Sequence, residues 1–228
     1  WLVWWGDILA HYALVGMIAF AFRKARVSRL VAIGVVLVLV ETVILGALPL
    51  GIHFLQSVPP GSAGAAEAAR QVAEFNRGFG VPTDAELAKN LALYRSDYAA
   101  IVAHRFHEHL FSPLSMLFLY GAETLGYMLF GMAALRSGLL RGEWRRGRYV
   151  KWLVICFGIG IPAYAALAAY MVDRNFSLLS VTLAVMGLAT PLRPLMILGW
   201  ACLILLFARP GGALTERVAA AGRMAFTN

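Results

Sequence analysis

Apolar residues run through this chain in long blocks separated by short polar clusters, with little of the alternation that marks half-buried strands. A helix needs about 20 apolar residues, rising ~1.5 Å each, to cross a ~30 Å hydrocarbon core. Four runs meet that length: 1–22, 30–50, 113–135 and 150–171. A fifth, 176–208, is too long for one span and is interrupted by Pro191, Arg193 and Pro194. There the pattern predicts a partial or tilted helix over 176–190 and a second piece over 192–208, together making one net crossing inward. Two full crossings are the alternative. The expected fold class is all-α: a polytopic transmembrane helix bundle, one membrane domain over 1–228.

The polar interval 52–112 has its own order. Residues 56–64 read as a turn-rich loop from their Pro and Gly content. A short surface helix over 65–77 ends at a Gly- and Pro-containing break, 78–83. Thr83 and Asp84 then cap a longer helix over 85–110, whose Leu87, Leu91, Tyr94, Tyr98 and Ile101 recur at three and four. An amphipathic helix of that kind is expected to lie on the membrane face or to cover the bundle's outer mouth.

Composition removes several functional classes. Hydrophobic residues are 61% and charged residues 14%, against roughly 45–50% and about 25% in soluble domains, and mean hydropathy is +0.73. A soluble enzyme, a disordered tail and a disulfide-stapled secreted module do not fit. The net charge of +8 is placed unevenly. Residues 23–29 carry four basic side chains, and 136–151 carry six against Glu143. The 52–112 interval has five basic and six acidic residues. Short basic loops stay cytoplasmic, so 52–112 is expected to be extracytoplasmic. No basic helix with interleaved aromatics suggests a nucleic-acid partner; the expected partner is the lipid bilayer. Cys156 and Cys202 lie in apolar runs without metal-ligand spacing and read as packing residues.

Ionisable side chains inside hydrocarbon cost about 2.5–3.5 kcal/mol or more, so each one needs a reason. Asp7 and His11 stand one helical turn apart, a spacing suited to proton relay or to orienting a general base; helix packing is the plainer account of both. Glu41 and Glu123 fall near the middles of the second and third qualifying runs, and Arg193 stands at the proline-flanked break. These three are candidates for buried pairing or for lining a substrate cavity, because broken helices at membrane depth are tolerated where they face protein or a cavity. The cluster His104, His107, Glu108 and His109 has neither zinc-protease spacing, and a solvated surface is the better reading; no metal is expected. Gly121, Gly126 and Gly131, with Ala165 and Ala169, suggest close helix packing.

Three stretches together resemble one family. Trp5-Gly6-Asp7-Ile8-Leu9-Ala10-His11-Tyr12-Ala13-Leu14 resembles the G-D-I-L-x-x-Y-A motif of the YeiB-like bacterial inner-membrane proteins, a family of unknown function. Leu125-Gly126-Tyr127-Met128-Leu129-Phe130-Gly131-Met132-Ala133-Ala134 resembles their L-G-x-M-L-x-G-M-A-L stretch. The final Ala221-Gly222-Arg223-Met224-Ala225-Phe226-Thr227-Asn228 resembles the start of their G-R-M-A-x-T-N-Y motif. The resemblance marks Gly6, Asp7, Tyr12, Gly222, Arg223, Thr227 and Asn228 as motif positions. It implies a bacterial inner-membrane location and a C-terminal part whose N-terminal half lies upstream. It also implies a relation to transmembrane acyltransferases, with acetyl-CoA or another acyl donor as co-substrate and no cofactor bound in this part. Asp7, His11 and Tyr12 are then the candidates for catalytic roles, although the base expected of such enzymes would lie in the upstream half. Asp7, Tyr12 and Arg193 are expected to border an outward-facing polar cavity. Two other readings stand beside this one: a proton-coupled transporter built on Asp7, Glu41 and Glu123, and a structural membrane subunit.

Overall fold

The computed structural model describes residues 8–79, 83–207 and a few positions between 212 and 222. Among these residues all regular structure is helical. Helix α1 (Leu9–Ala21) is short, and the first seven residues of the expected 1–22 span lie outside the described set. Helix α2 (Val27–Gln56) runs for 30 residues and continues past the last apolar run through His53. It closes where the Ser57 hydroxyl donates to His53 O at 2.7 Å. Pro49 sits inside it, buried, without ending it.

Three short helices connect the far ends of the spans: α3 (Ala65–Phe79), α4 (Asp84–Tyr94) and α5 (Tyr98–His109). Thr83 caps α4 as the sequence suggests, its hydroxyl accepting from Glu86 N–H while the Glu86 carboxylate accepts from Thr83 N–H. The expectation of one helix over 85–110 is wrong. The chain breaks at 95–97 because Ser96 donates to Leu93 O, and the Asp97 carboxylate accepts from Ala100 N–H at 2.7 Å, starting a new helix.

Helix α6 (Ser112–Arg136) lies against both α1 and α2, and α7 (Arg146–Asp173) lies against α9 (Arg193–Phe207). Between α7 and α9 the chain forms one turn of α-helix, α8 (Leu178–Val181), which widens into a π-helix over Thr182–Leu188 packed on α2. Three helices are long and apolar enough to cross a membrane: α2, α6 from Leu114, and α7. The legs Leu178–Leu188 and Arg193–Phe207 meet at a 60° bend and make a fourth span if counted as one. The protein is a helical integral membrane protein.

Close approach at the α2–α6 crossing depends on glycine. A Cβ on Gly126 would lie 3.2 Å from Gly34 O, and one on Gly34 would lie 2.6 Å from the Phe130 ring. The five-residue repeat turns each successive glycine by about 140°, so Gly121, Gly126 and Gly131 do not share a face. Only Gly126 of the three touches a neighbouring helix. Ala165 and Ala169 are exposed, so the small-residue face expected of α7 is not used in packing among the described residues.

Candidate functional site

The ionisable residues that the apolar pattern left unexplained converge midway along α2 and α6. Glu41, on α2, is fully buried, and its Oε2 accepts from Glu123 N–H at 3.2 Å. Glu123, on α6, is 6% exposed. It binds Arg193, whose Nη1 donates to both Glu123 oxygens at 2.9 Å. The Tyr127 hydroxyl, one turn along α6, donates to Glu123 Oε1. Glu123 therefore binds the guanidinium directly, and Glu41 meets Glu123 through its backbone N–H.

Arg193 reaches Glu123 because the chain bends where it does. Pro191 cannot donate to a helical ladder, and Arg193 begins α9 just beyond it. The π-helix ends as Ala189 N–H donates to Ala184 O at 2.9 Å, a five-residue step. Wider turns of this kind leave carbonyls to be satisfied elsewhere, and lipid offers no donors. Arg193 Nη2 donates to Val185 O at 2.7 Å. Thr190, fully buried, donates to Met186 O at 2.5 Å, and Thr182 donates to Leu178 O at 2.7 Å. One arginine thus ties the irregular backbone to the buried acid of α6.

A second polar contact lies on the α1 side of α6. His11 is 8% exposed and its Nε2 meets Thr124 Oγ1 at 2.9 Å. Thr124 in turn donates to Tyr120 O at 2.9 Å, so that hydroxyl proton is engaged and His11 Nε2–H is the donor to Oγ1. His11 Nδ1 and Glu41 Oε1 are buried with no hydrogen-bond partner among the described residues.

Glu41, Glu123 and Arg193 come together. His11, on α1, reaches α6 beside them through Thr124, the neighbour of Glu123. Tyr12 is 45% exposed, with its ring 5.8 Å from that of His11. Gly6, Asp7, Arg223, Thr227 and Asn228 lie outside the described residues, so the expected Asp7–His11 pair does too; Gly222 is exposed in a short helical piece. Tyr127, Thr124 and the π-helix were not singled out from sequence, although Glu123 and Tyr127 do stand at helix-neighbour spacing. The His104–His109 cluster lies on α5, whose first turn Asp97 caps. No group of three His, Cys, Asp or Glu side chains suited to a metal occurs among the described residues.

Arg193 is partly exposed. Its side chain is 31% exposed, against 8% for the Glu123 side chain. A guanidinium carries five N–H donors, and three contacts on Nη1 and Nη2 are accounted for. Its other N–H groups have no hydrogen-bond partner among the described residues. Arg193 is therefore held by Glu123 and Val185 O while part of its side chain stays exposed.

Residues 134–228 match a family model described as Protein of unknown function (DUF418). The YeiB-like resemblance accords with that match. Of its three stretches, the last lies within the matched segment, the second reaches its first residue at Ala134, and the first lies upstream. No curated protein and no solved structure gives a significant match.

Proposed function

We propose that this chain is the C-terminal part of a bacterial inner-membrane acyltransferase and that Arg193 stabilises the reacting carbonyl. The observation that carries the reading is the partly exposed guanidinium at the helix break, braced by buried Glu123 and Val185 O. Preorganised donors aimed at a developing oxyanion contribute most where water is excluded and nothing must reorganise. An acceptor hydroxyl or amine attacks the carbonyl of an acyl thioester such as acetyl-CoA. The new C–O or C–N bond forms as the C–S bond breaks, and the acceptor's proton ends on the departing thiolate. The described residues supply the oxyanion donor and its brace; the base that carries the proton belongs to the upstream half. In this reading 52–112 is extracytoplasmic and the acceptor lies on that side.

The test uses the full-length protein in membrane vesicles supplied with radiolabelled acetyl-CoA. Labelled acceptor is expected from wild type and a loss of about 10²- to 10³-fold in rate from Arg193→Ala. Wild-type labelling by that variant would refute the role of Arg193. No labelling from wild type with any acyl donor would refute acyl transfer.

One observation favours a second reading, proton-coupled transport. Glu41 Oε1 is buried with no partner among the described residues, beside a second acid whose arginine Glu41 itself does not touch, a pattern suited to an acid that gains and loses a proton during a cycle. Gradient-driven uptake that Glu41→Gln abolishes in a folded protein would establish this reading over acyl transfer.

A further inference from the structure

The two basic loops are one surface. Arg136, the last residue of α6, donates from its guanidinium to Arg23 O and Ala25 O of the loop between α1 and α2. That contact fastens the 23–29 loop to the loop that opens at Ser137. The second loop is itself rigid. Gly138 and Gly142 take φ of +80° and +75°, a region that favours glycine. Trp144 Nε1 donates to Ser137 O at 2.7 Å, and the buried Tyr149 hydroxyl donates to Leu139 O at 2.7 Å. Leu139 and Tyr149 pack with Cys202 of α9.

Several of the charges on this surface have no acidic partner among the described residues. Arg141 pairs with Glu143 at 2.9 Å, Arg148 stacks 3.7 Å from the Trp144 ring centre, and Arg136 is spent on carbonyls. Lys24, Arg26, Arg29, Arg145, Arg146 and Lys151 are exposed, with no carboxylate at salt-bridge distance among the described residues. Neither α2 nor α7, both of which begin here, has an acidic residue in its first turn. Apolar side chains are exposed at the same level, with Phe20 at 63%, Leu135 at 53% and Val150 at 41%. Such neighbours place the basic groups at the boundary between hydrocarbon and headgroups, not out in bulk water.

We infer that this joined surface is a docking face for the phosphate headgroups of anionic phospholipids, which complete its charge balance. The exposed apolar rim decides for lipid over a soluble polyanion, because a headgroup reaches the arginines only when its acyl chains lie along that rim. The inference is independent of acyl transfer.

The test is lipid retention by the full chain in nanodiscs of equal phosphatidylglycerol and phosphatidylcholine, read by native mass spectrometry. One exposed basic residue near an anionic surface favours it about fivefold, so retained phosphatidylglycerol should exceed phosphatidylcholine by about tenfold or more when several act together. Raising the salt to shorten the screening length should bring the ratio toward parity. Substituting Arg26, Arg29, Arg145 and Arg146 by Gln should abolish the enrichment, while Arg70→Gln with Arg95→Gln should leave it intact. Should the fourfold Gln variant fail to fold, the salt series on wild type decides, and the fourfold Lys variant must keep the enrichment. Retention of both lipids at the supplied ratio by wild type would overturn the inference. So would displacement of phosphatidylglycerol by inorganic pyrophosphate, which would make the face a site for soluble polyanions.

Discussion

The α7–α9 and α2–α6 pairs are built by the same packing device and differ in what they bury. In α7–α9, Gly199 faces the Phe157 ring, where a Cβ would lie 2.5 Å away, and Phe157 meets Trp200 edge-on at 5.2 Å. Cys156 and Cys202 are fully buried there as small apolar fillers. In α2–α6, Gly34 faces the Phe130 ring and Gly126 faces Gly34 O in the same way. Yet this second pair also buries Glu41 and Glu123 and draws in Arg193. The α7–α9 seam shows that this chain packs membrane helices without acids. Packing alone therefore does not explain the acids of α2–α6, since a buried ion pair often gives no net stability over apolar residues of similar volume.

The comparison can be broken in order of expected effect. Arg193→Ala, beyond its loss of labelling, should leave Glu123 buried without its cation. Glu123→Ala should destabilise by about 2–3 kcal/mol in denaturant titration, less than a fully buried pair because Arg193 is partly exposed. Gly199→Leu and Gly34→Leu should each cost about 1–3 kcal/mol or more through overpacking, with similar values because the two crossings use one device. A much larger loss at Gly34 would mean that the α2–α6 seam has structural demands the other lacks. Glu41→Gln should change stability by only about 1 kcal/mol, because the amide oxygen still accepts from Glu123 N–H; a loss of several kcal/mol would make Glu41 a structural residue. The smallest effect belongs to Asp97→Ala, about 1 kcal/mol confined to α5 and visible as faster amide exchange at its first turn.

What could be read from sequence follows how local each signal is. Spans announce themselves through apolar length, so α2, α6 and α7 sit over the expected runs, lengthened at their ends where polar residues still continue the helix. The capping box at Thr83 is a four-residue signal and was legible. The Asp97 cap was equally local, but the apolar repeat running through it concealed the break. Repeats also misled at Gly121 and Gly131, where five-residue spacing does not follow a helix face. At the site, the cost of charge in lipid pointed to Glu41, Glu123 and Arg193 before any geometry. Which atoms meet depended on the bend and on the π-helix, whose wider turns have no sequence mark. For that reason Tyr127 and Thr124 were not singled out.

The central claim is that the Glu123–Arg193 pair serves function and not packing. The most direct measurement is the paired substitution Glu123→Met with Arg193→Met in the full-length protein, scored for unfolding midpoint and for acyl transfer in the same membranes. The account predicts a folded protein at least as stable as wild type, with transfer reduced by about 10²-fold or more. A paired variant that transfers acyl groups at the wild-type rate, or one that unfolds while Gly199→Leu remains folded, would contradict it.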